Sequence, residues 1–521
     1  MSISIEADKD ATYLATPMQE INAALKVCAF GWFHIKLLIS SFFAMLGGTF
    51  ITNTTPYILP NAECDLNMDL LQKGIINAVP FVGMLLSSVV AGFLTDTFGR
   101  KKFIVCGYAG IFFFTVISAF SQTFEMLMFS KFFEGVLFAS AHSACTTLTA
   151  EFCHKDIRDR VMLFQSAYKS VGQIVLSLIT WAVLIQDWRV AVFDGHIVLN
   201  TWNVYLLIIS LFSFMACVLY SFQPESPKYL VAQNRLDEAR ETLIKVYLTN
   251  TGNLVETFEY ANLWKDKQKS TEQIEIKTTL SNRLLVGLHN IKPIFKRPLV
   301  SILILFSLLN FLIMAMYNII RLWFPQLSTI VEHYYGKNGN YELCVVLDAY
   351  TEDLRLRNVN ITDVGSEVCV PTRSGSETYI NSIILGFICL TPLMLSGALV
   401  NKLGKKLLLL VSGVLTVAVT IWLRWASSKA EVVGLFAADM AIGQTMMSLL
   451  QVTTVEIFPT TTRTLAIGIM MTMGRIGSLV GNVMFPVLLS MGCVVPFYTL
   501  AGFMTAVTVM SILVPKKKPD M

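Results

Sequence analysis

The chain has 521 residues, 54% of them hydrophobic and only 15% charged, with a formal net charge of +4 and a mean hydropathy of +0.60. A soluble domain of this size carries roughly a quarter charged residues, and here whole stretches carry none, which excludes an ordinary soluble enzyme or nucleic-acid-binding protein. No phosphate-cradling Gly loop, metal-ligand cluster or nucleophile elbow interrupts the pattern, so no catalysis, cofactor or metal is expected.

Residues 1–30 hold no basic start followed by a short apolar core and cleavage site, so residues 1–36 read as a cytosolic segment and the first apolar run as an anchor. Six runs follow, at about 37–60, 71–95, 103–124, 126–149, 162–185 and 203–222. Each is near the 20 or so residues a helix needs to cross ~30 Å of hydrocarbon. Residues 223–298 are charged instead, and within "PKYLVAQNRLDEARETLIKVY" the apolar Leu236, Ala239, Leu243 and Val246 recur at helical spacing. Six more runs come at 299–325, 379–400, 407–425, 432–455, 464–490 and 493–514, before a basic tail at 515–521. The expected fold class is an all-α integral membrane protein, with twelve transmembrane helices in two six-helix bundles, 37–222 and 299–514.

Lys and Arg collect after the second, fourth and eighth runs and in the tail, whereas residues 61–70 have none. Basic residues mark the cytosolic side, so both termini are expected there. Residues 326–378 then fall on the opposite side, with eight acids against four bases. That loop carries Cys344, Cys369 and the sequon Asn360-Ile361-Thr362. An oxidising exofacial compartment permits a Cys344–Cys369 bridge and a glycan on Asn360. Cys64 is a third thiol on that side and leaves the pairing open.

The two halves repeat. "GFLTDTFGRKK" (92–102) returns as "GALVNKLGKKL" (397–407), and Gly92 with Gly397, Asp96 with Asn401 and Gly99 with Gly404 are all 305 positions apart. Glu151 with Glu456 and Arg158 with Arg463 share the same offset. A parallel repeat of this kind implies two halves rocking about a midplane cavity. Gly92, Asp96, Gly99, Arg100, Lys101, Glu151 and Arg158, with Asn401, Gly404, Lys405, Glu456 and Arg463, are then expected to form a cytosolic gate. In it, Asp96 would face the positive end of a helix from the other bundle.

A charge deep in a bilayer is costly unless paired or wetted, and so marks a functional candidate. Arg475 lies 11 residues into its run, ~16 Å at 1.5 Å per residue. Lys169, near the start of its run, is only about 10 Å deep and is also able to snorkel to the surface. Gln173, Asn310, Tyr317, Asn318 and Gln444 are the uncharged candidates to line a solute site. Glu134 and Asp439 are the acids available to neutralise the cations, and His142 reads as a packing histidine. With no acid answering Arg475 and Lys169, an anionic or zwitterionic small organic solute is favoured.

The repeated signature, the Glu…Arg pairs and "PESPKYL" (224–230) resemble the major facilitator superfamily, in the branch of sugar porters, organic ion transporters and synaptic vesicle glycoprotein 2-like proteins. "ILPNAECDLNM" (58–68), "DWRVAVF" (187–193) and the exofacial insert after "RLWFPQL" (321–327) are similar to the last of these. The resemblance implies a secondary-active or facilitative transporter of a small organic solute, working as a monomer in the plasma membrane or a secretory vesicle. Some of the pattern is missing. Asn401 replaces the second acid, Lys131 stands before Gly135 where an Arg is usual, and the first and tenth spans lack the family's acids. A second function is therefore carried forward: a non-transporting vesicle-glycoprotein-like protein acting through its luminal loop and cytosolic segments.

Overall fold

The computed structural model describes residues 17–192, 197–264, 296–334, 342–363, 374–458 and 463–515. A short helix α1 (Pro17–Val27) precedes the first bundle, which comprises α2 (Trp32–Ala62), α3 (Leu70–Phe98), α4 (Arg100–Ala119), α5 (Phe124–Glu151), α6 (Lys155–Leu184) and α7 (Thr201–Ser221). Between the bundles lie α8 (Pro227–Ala232) and α9 (Leu236–Thr251). The second bundle is α10 (Leu299–Tyr334), α12 (Ser376–Leu403), α13 (Lys405–Trp422), α14 (Lys429–Ile457), α15 (Arg463–Ser490) and α16 (Val494–Ser511), with α11 (Leu343–Asp363) inserted after α10. Ten of these twelve long helices are, among the described residues, long and apolar enough to cross a bilayer. The other two, α5 and α12, have 28 residues each and pack among them.

The twelve predicted spans are all present, but two helices outrun their apolar stretches. α6 begins at Lys155 rather than 162, and α10 continues through Pro325 to Tyr334. Hydropathy marks where lipid contact begins, not where the backbone starts to coil. The repeated glycines have a backbone reason. Gly99 and Gly404 break α3 from α4 and α12 from α13 at φ 101° and 79°, a region where an L side chain is strained. Farther along, a Cβ on Gly135 would run into the Pro80 carbonyl oxygen of α3, so a glycine lets α3 and α5 cross in close contact.

One end of the molecule, the basic face, carries the 99–101 and 404–406 turns together with α1, α8 and α9. There Ala239, Leu243 and Val246 are fully buried, as the helical spacing of the linker required. Asn250 of α9 fixes the approach to α2, with its amide donating to the Cys28 and Ala29 carbonyls at 3.0 Å and its oxygen accepting from Phe33 N–H at 2.9 Å. Cys28 is sealed beneath it, and burial pushes its thiol from 9.0 up to about 12. Only the thiolate attacks a maleimide, and burial disfavours that charged form. At pH 7.5, Cys28 should therefore label at least about a hundred times more slowly in native protein than in the unfolded chain, read by mass spectrometry; equal rates would place it at the surface.

The opposite end, the loop face, carries an antiparallel hairpin, β1 (Arg189–Val192) with β2 (Ile197–Asn200), and helix α11. The bridge expected between Cys344 and Cys369 is not formed. Cys344 pairs with Cys493 at the start of α16, with Cα atoms 5.2 Å apart. Two hydrogen bonds explain the choice. Leu343 N–H donates to the Ala426 carbonyl, between α13 and α14, at 3.1 Å, and Cys493 N–H donates to the Asp348 carboxylate at 2.8 Å, so the start of α11 is clamped against both that turn and the one between α15 and α16. Cys64 is disulfide-bonded as well; Cys369 lies outside the described residues. Asn360 lies on α11, its side chain outside them. Closing a loop of this length constrains the unfolded chain by about 3–5 kcal/mol. Cys344→Ser and Cys493→Ser should each cost that much in denaturant unfolding, and the double variant no more. A double variant far worse than either single would mean the two thiols have other partners.

Candidate solute site and gates

The basic-face motif forms two equivalent knots, one per bundle. In the first, Arg100 pairs with Glu151 at 3.2 Å and lies over the Tyr229 ring at 4.8 Å. In the second, Lys405 pairs with Glu456. Arg100 and Lys405 are separated by the same offset as the two acids, so the repeat read in the sequence is an ion pair repeated in space. The side chain of Asp96, expected to face a helix end of the other bundle, lies outside the described residues. The positive end of α4 is held by Glu225 of "PESPKYL", which accepts from the Arg100 and Lys101 N–H groups at 3.1 Å. A Cβ at Gly99 would meet this carboxylate at 2.5 Å. Glu225 is a residue the sequence reading missed, since nothing in the linear order shows the chain after α7 folding back onto α4. Arg158 is exposed on the first turns of α6. Gly92, Asp96, Asn401 and Arg463 lie on helices at this face, the last three with side chains outside the described set.

Among the described residues, contacts between the bundles occur at mid-height and toward the loop face. A Cβ on Gly74 of α3 would meet the Asn482 carbonyl and Pro486 of α15 at 2.7 Å, and one on Gly386 of α12 would meet Ile174 of α6 at 3.0 Å. Lys73 is buried against Glu63 at 2.8 Å, and its ammonium donates to Tyr350 of α11 at 3.5 Å. The Arg100–Glu151 and Lys405–Glu456 pairs each lie within one bundle.

Three cations stand on the long helices α6, α10 and α15. Lys169 stands near the centre of α6, deeper than the apolar run implied, and is exposed. Arg475 stands near the centre of α15 and donates to the Met84 carbonyl of α3 at 3.2 Å. Arg321 of α10 donates to Thr52 of α2 at 3.3 Å and lies over Tyr317 at 5.6 Å. The repeat offset places Lys169 opposite Gly474, the neighbour of Arg475, so these two cations stand at matching levels of related helices. Lys169 and Arg475 both act electrostatically on His142, and Arg321 on Lys169. Arg321 was missed as a site residue because the apolar run ended only a few residues beyond it.

The acids expected to answer these cations do not. Glu134 accepts from Lys131 at 2.8 Å and from Ser118 at 2.9 Å, and Asp439 accepts from Thr420 at 3.0 Å. His142 sits against Phe138 at 5.1 Å with Nδ1 buried and unpartnered. Gln173 donates to Tyr57 at 3.2 Å beside the site, and Gln444 is half-buried on α14. Asn310 and Asn318 belong to packing rather than to a pocket wall. They are 0% and 2% exposed and donate across to α15, to the Met470 carbonyl at 2.7 Å and to Ser478 at 2.8 Å.

Comparison with known proteins agrees with this architecture. The sugar (and other) transporter family matches residues 27–320 and the Major Facilitator Superfamily residues 373–521. Human synaptic vesicle glycoprotein 2B is 20% identical over 94% of this chain and 84% of its own. Human synaptic vesicle glycoprotein 2A is 23% identical over 44% of this chain and 31% of its own. Among solved structures, the partially occluded inward-open form of the xylose transporter XylE from E. coli superposes with a TM-score of 0.61 at 14% identity, covering 93% of this chain and all of that one. The nucleoside transporter NupG gives 0.57 at 11% identity, over 92% and 98%. With its two related bundles, the chain belongs to the sugar (and other) transporter family of the Major Facilitator Superfamily, and within it resembles the synaptic vesicle glycoprotein 2 proteins.

Proposed function

We propose that this protein carries a small organic anion across its membrane by alternating access, as a secondary-active or facilitative transporter with the basic face and both termini in the cytosol. One observation carries the reading. Lys169, Arg321 and Arg475 converge from three helices and both bundles at mid-height, with no carboxylate partner among the described residues. Charges at that depth are retained where they meet a partner or water, and a negatively charged solute is a partner that comes and goes. Lys101, Arg158 and the repeated Arg100–Glu151 and Lys405–Glu456 knots supply the basic-face gate. The resemblance to synaptic vesicle glycoproteins supports a plasma or secretory-vesicle membrane.

The test is thermal unfolding of the purified, detergent-solubilised protein against sugars, organic anions, organic cations and nucleosides. A ligand that binds only the folded state raises its melting temperature by mass action, by an amount equivalent to about 2.7 kcal/mol at a hundred times Kd. Saturable stabilisation by anions alone is expected. Stabilisation by cations would reject the anion site, and a silent panel on well-folded protein would favour a non-transporting, loop-mediated role.

A further inference from the structure

The outward face of α9 changes character along its length. Its exposed positions are Glu238, Glu241, Lys245 and Leu248, charged where the helix starts and apolar where it ends. The helix stops at Gly252, in the left-handed region at φ 70°, and the chain turns through Leu254 and Val255 before Phe258 folds back against Tyr247 at 4.6 Å. Phe258 is buried, whereas Leu254 and Val255 at the tip are 72% and 39% exposed. A turn in open water favours polar residues and gains nothing from two bare aliphatic side chains.

This apolar end lies where α2 enters the bilayer. Asn250 hydrogen-bonds the Cys28 and Ala29 carbonyls and the Phe33 N–H, and a Cβ on Gly31 would meet Asn250 at 2.8 Å. α2 is long and apolar enough to span, and its exposed Trp32, Ile35 and Ile39 fall at helical spacing on one side, the side left for lipid. Trp32, on the first turn, stands where aromatic side chains mark the headgroup level. The exposed Lys36, one turn on, is long enough to snorkel back to that level. Phe30, exposed and stacked on His34 at 5.1 Å, joins the same edge. The tip of α9 therefore stands level with the headgroups, next to a surface that already meets lipid.

We infer that Leu248, Leu254 and Val255 insert, with Phe30 and Trp32, into the headgroup region of the leaflet at the basic face, so that the bilayer itself holds the segment linking the two bundles. The occupant of this patch is lipid, not a second copy or a soluble protein, because the patch adjoins the lipid-facing side of α2. Insertion is shallow. Glu256 follows directly in the turn and is exposed, and a carboxylate is costly below the headgroups. The edge is held as an interfacial amphipathic helix is, by apolar side chains sunk into the boundary between headgroups and acyl chains. It ties α9 to the membrane as well as to α2, and it does not depend on what the protein carries.

Spin labels read this depth. In the full-length chain, with Cys106, Cys217 and Cys389 replaced by Ser, single labels go at Leu254→Cys and Val255→Cys. A label at Glu241→Cys, on the charged end of the same face, is the water control. The protein sits in nanodiscs of phosphatidylcholine and phosphatidylserine, with oxygen, which concentrates in acyl chains, and a neutral nickel chelate, which stays in water. The ratio of oxygen to nickel collisions at the two tip sites should be at least about fivefold that at the Glu241→Cys site. Equal ratios would place the tip in water and overturn the inference. Low collision rates with both reagents would mean that protein covers the tip, and would overturn it as well. A second variant tests the tie itself. Leu254→Asp together with Val255→Asp should lower the ratio at a Leu248→Cys label at least about twofold. An unchanged ratio there overturns the tie, since Asn250 alone would then set the position of α9.

Discussion

Arg475→Ala should abolish the thermal shift produced by an anionic ligand while leaving the unliganded protein as stable as before, or more so. Its partner among the described residues is the Met84 carbonyl, a helical backbone group that loses little when the guanidinium goes. Removing an unpaired cation from mid-bilayer depth also relieves a standing penalty. Loss of one partner from a desolvated, charge-assisted contact costs about 2–5 kcal/mol, and so weakens binding roughly 30-fold or more. Arg475→Lys keeps the charge but not the paired geometry, and should lie between. Asn310→Ala is the contrasting control. Asn310 is fully buried and donates to the Met470 carbonyl across the α10–α15 seam. Its loss should lower the melting temperature and spare the shift. If the two variants exchange these behaviours, the solute site lies along that seam and not at the three cations.

That contrast also shows what the sequence could and could not reveal. Arg475 announced itself because a charge inside an apolar run is visible in one dimension. Lys169 was seen at too shallow a depth, since Lys155–Arg160 are polar turns of a helix that continues beyond the lipid. Arg321 was overlooked for the mirror-image reason at the other end of α10. Asn310, Tyr317 and Asn318 share a face by spacing, but spacing cannot say whether that face meets a cavity or another helix. Asn310 and Asn318 meet α15. The repeat was legible because a constant offset survives in the order of the chain. Its partners were not all legible, because Glu225 reaches the start of α4 from far along the chain. Cys493 was likewise hidden inside an apolar run, while Cys344 and Cys369 stood together in an obvious loop.

The same offset leads to a second large expected effect. Glu134 and Asp439 are equivalent positions of the repeat and both fully buried, on the related helices α5 and α14. In the first repeat the carboxylate is answered by Lys131 at 2.8 Å, with both side chains at most 1% exposed. In the second, Phe436 stands where Lys131 does, and Asp439 relies on the Thr420 hydroxyl. Lys131→Met should therefore destabilise the protein by about 3–5 kcal/mol, because it leaves Glu134 buried with only Ser118 as a partner. Adding Glu134→Gln removes the stranded charge and should recover most of the loss, since a buried pair contributes little over a neutral replacement of similar volume. In denaturant unfolding, the coupling energy between the two sites should then approach the single-variant cost. Near-additive losses would sink this account, and would mean that Lys131 answers some other group. The second repeat runs the same comparison in nature, with the cation already gone. Asp439→Asn should accordingly cost little or stabilise, because no partner is abandoned and the amide still accepts from Thr420.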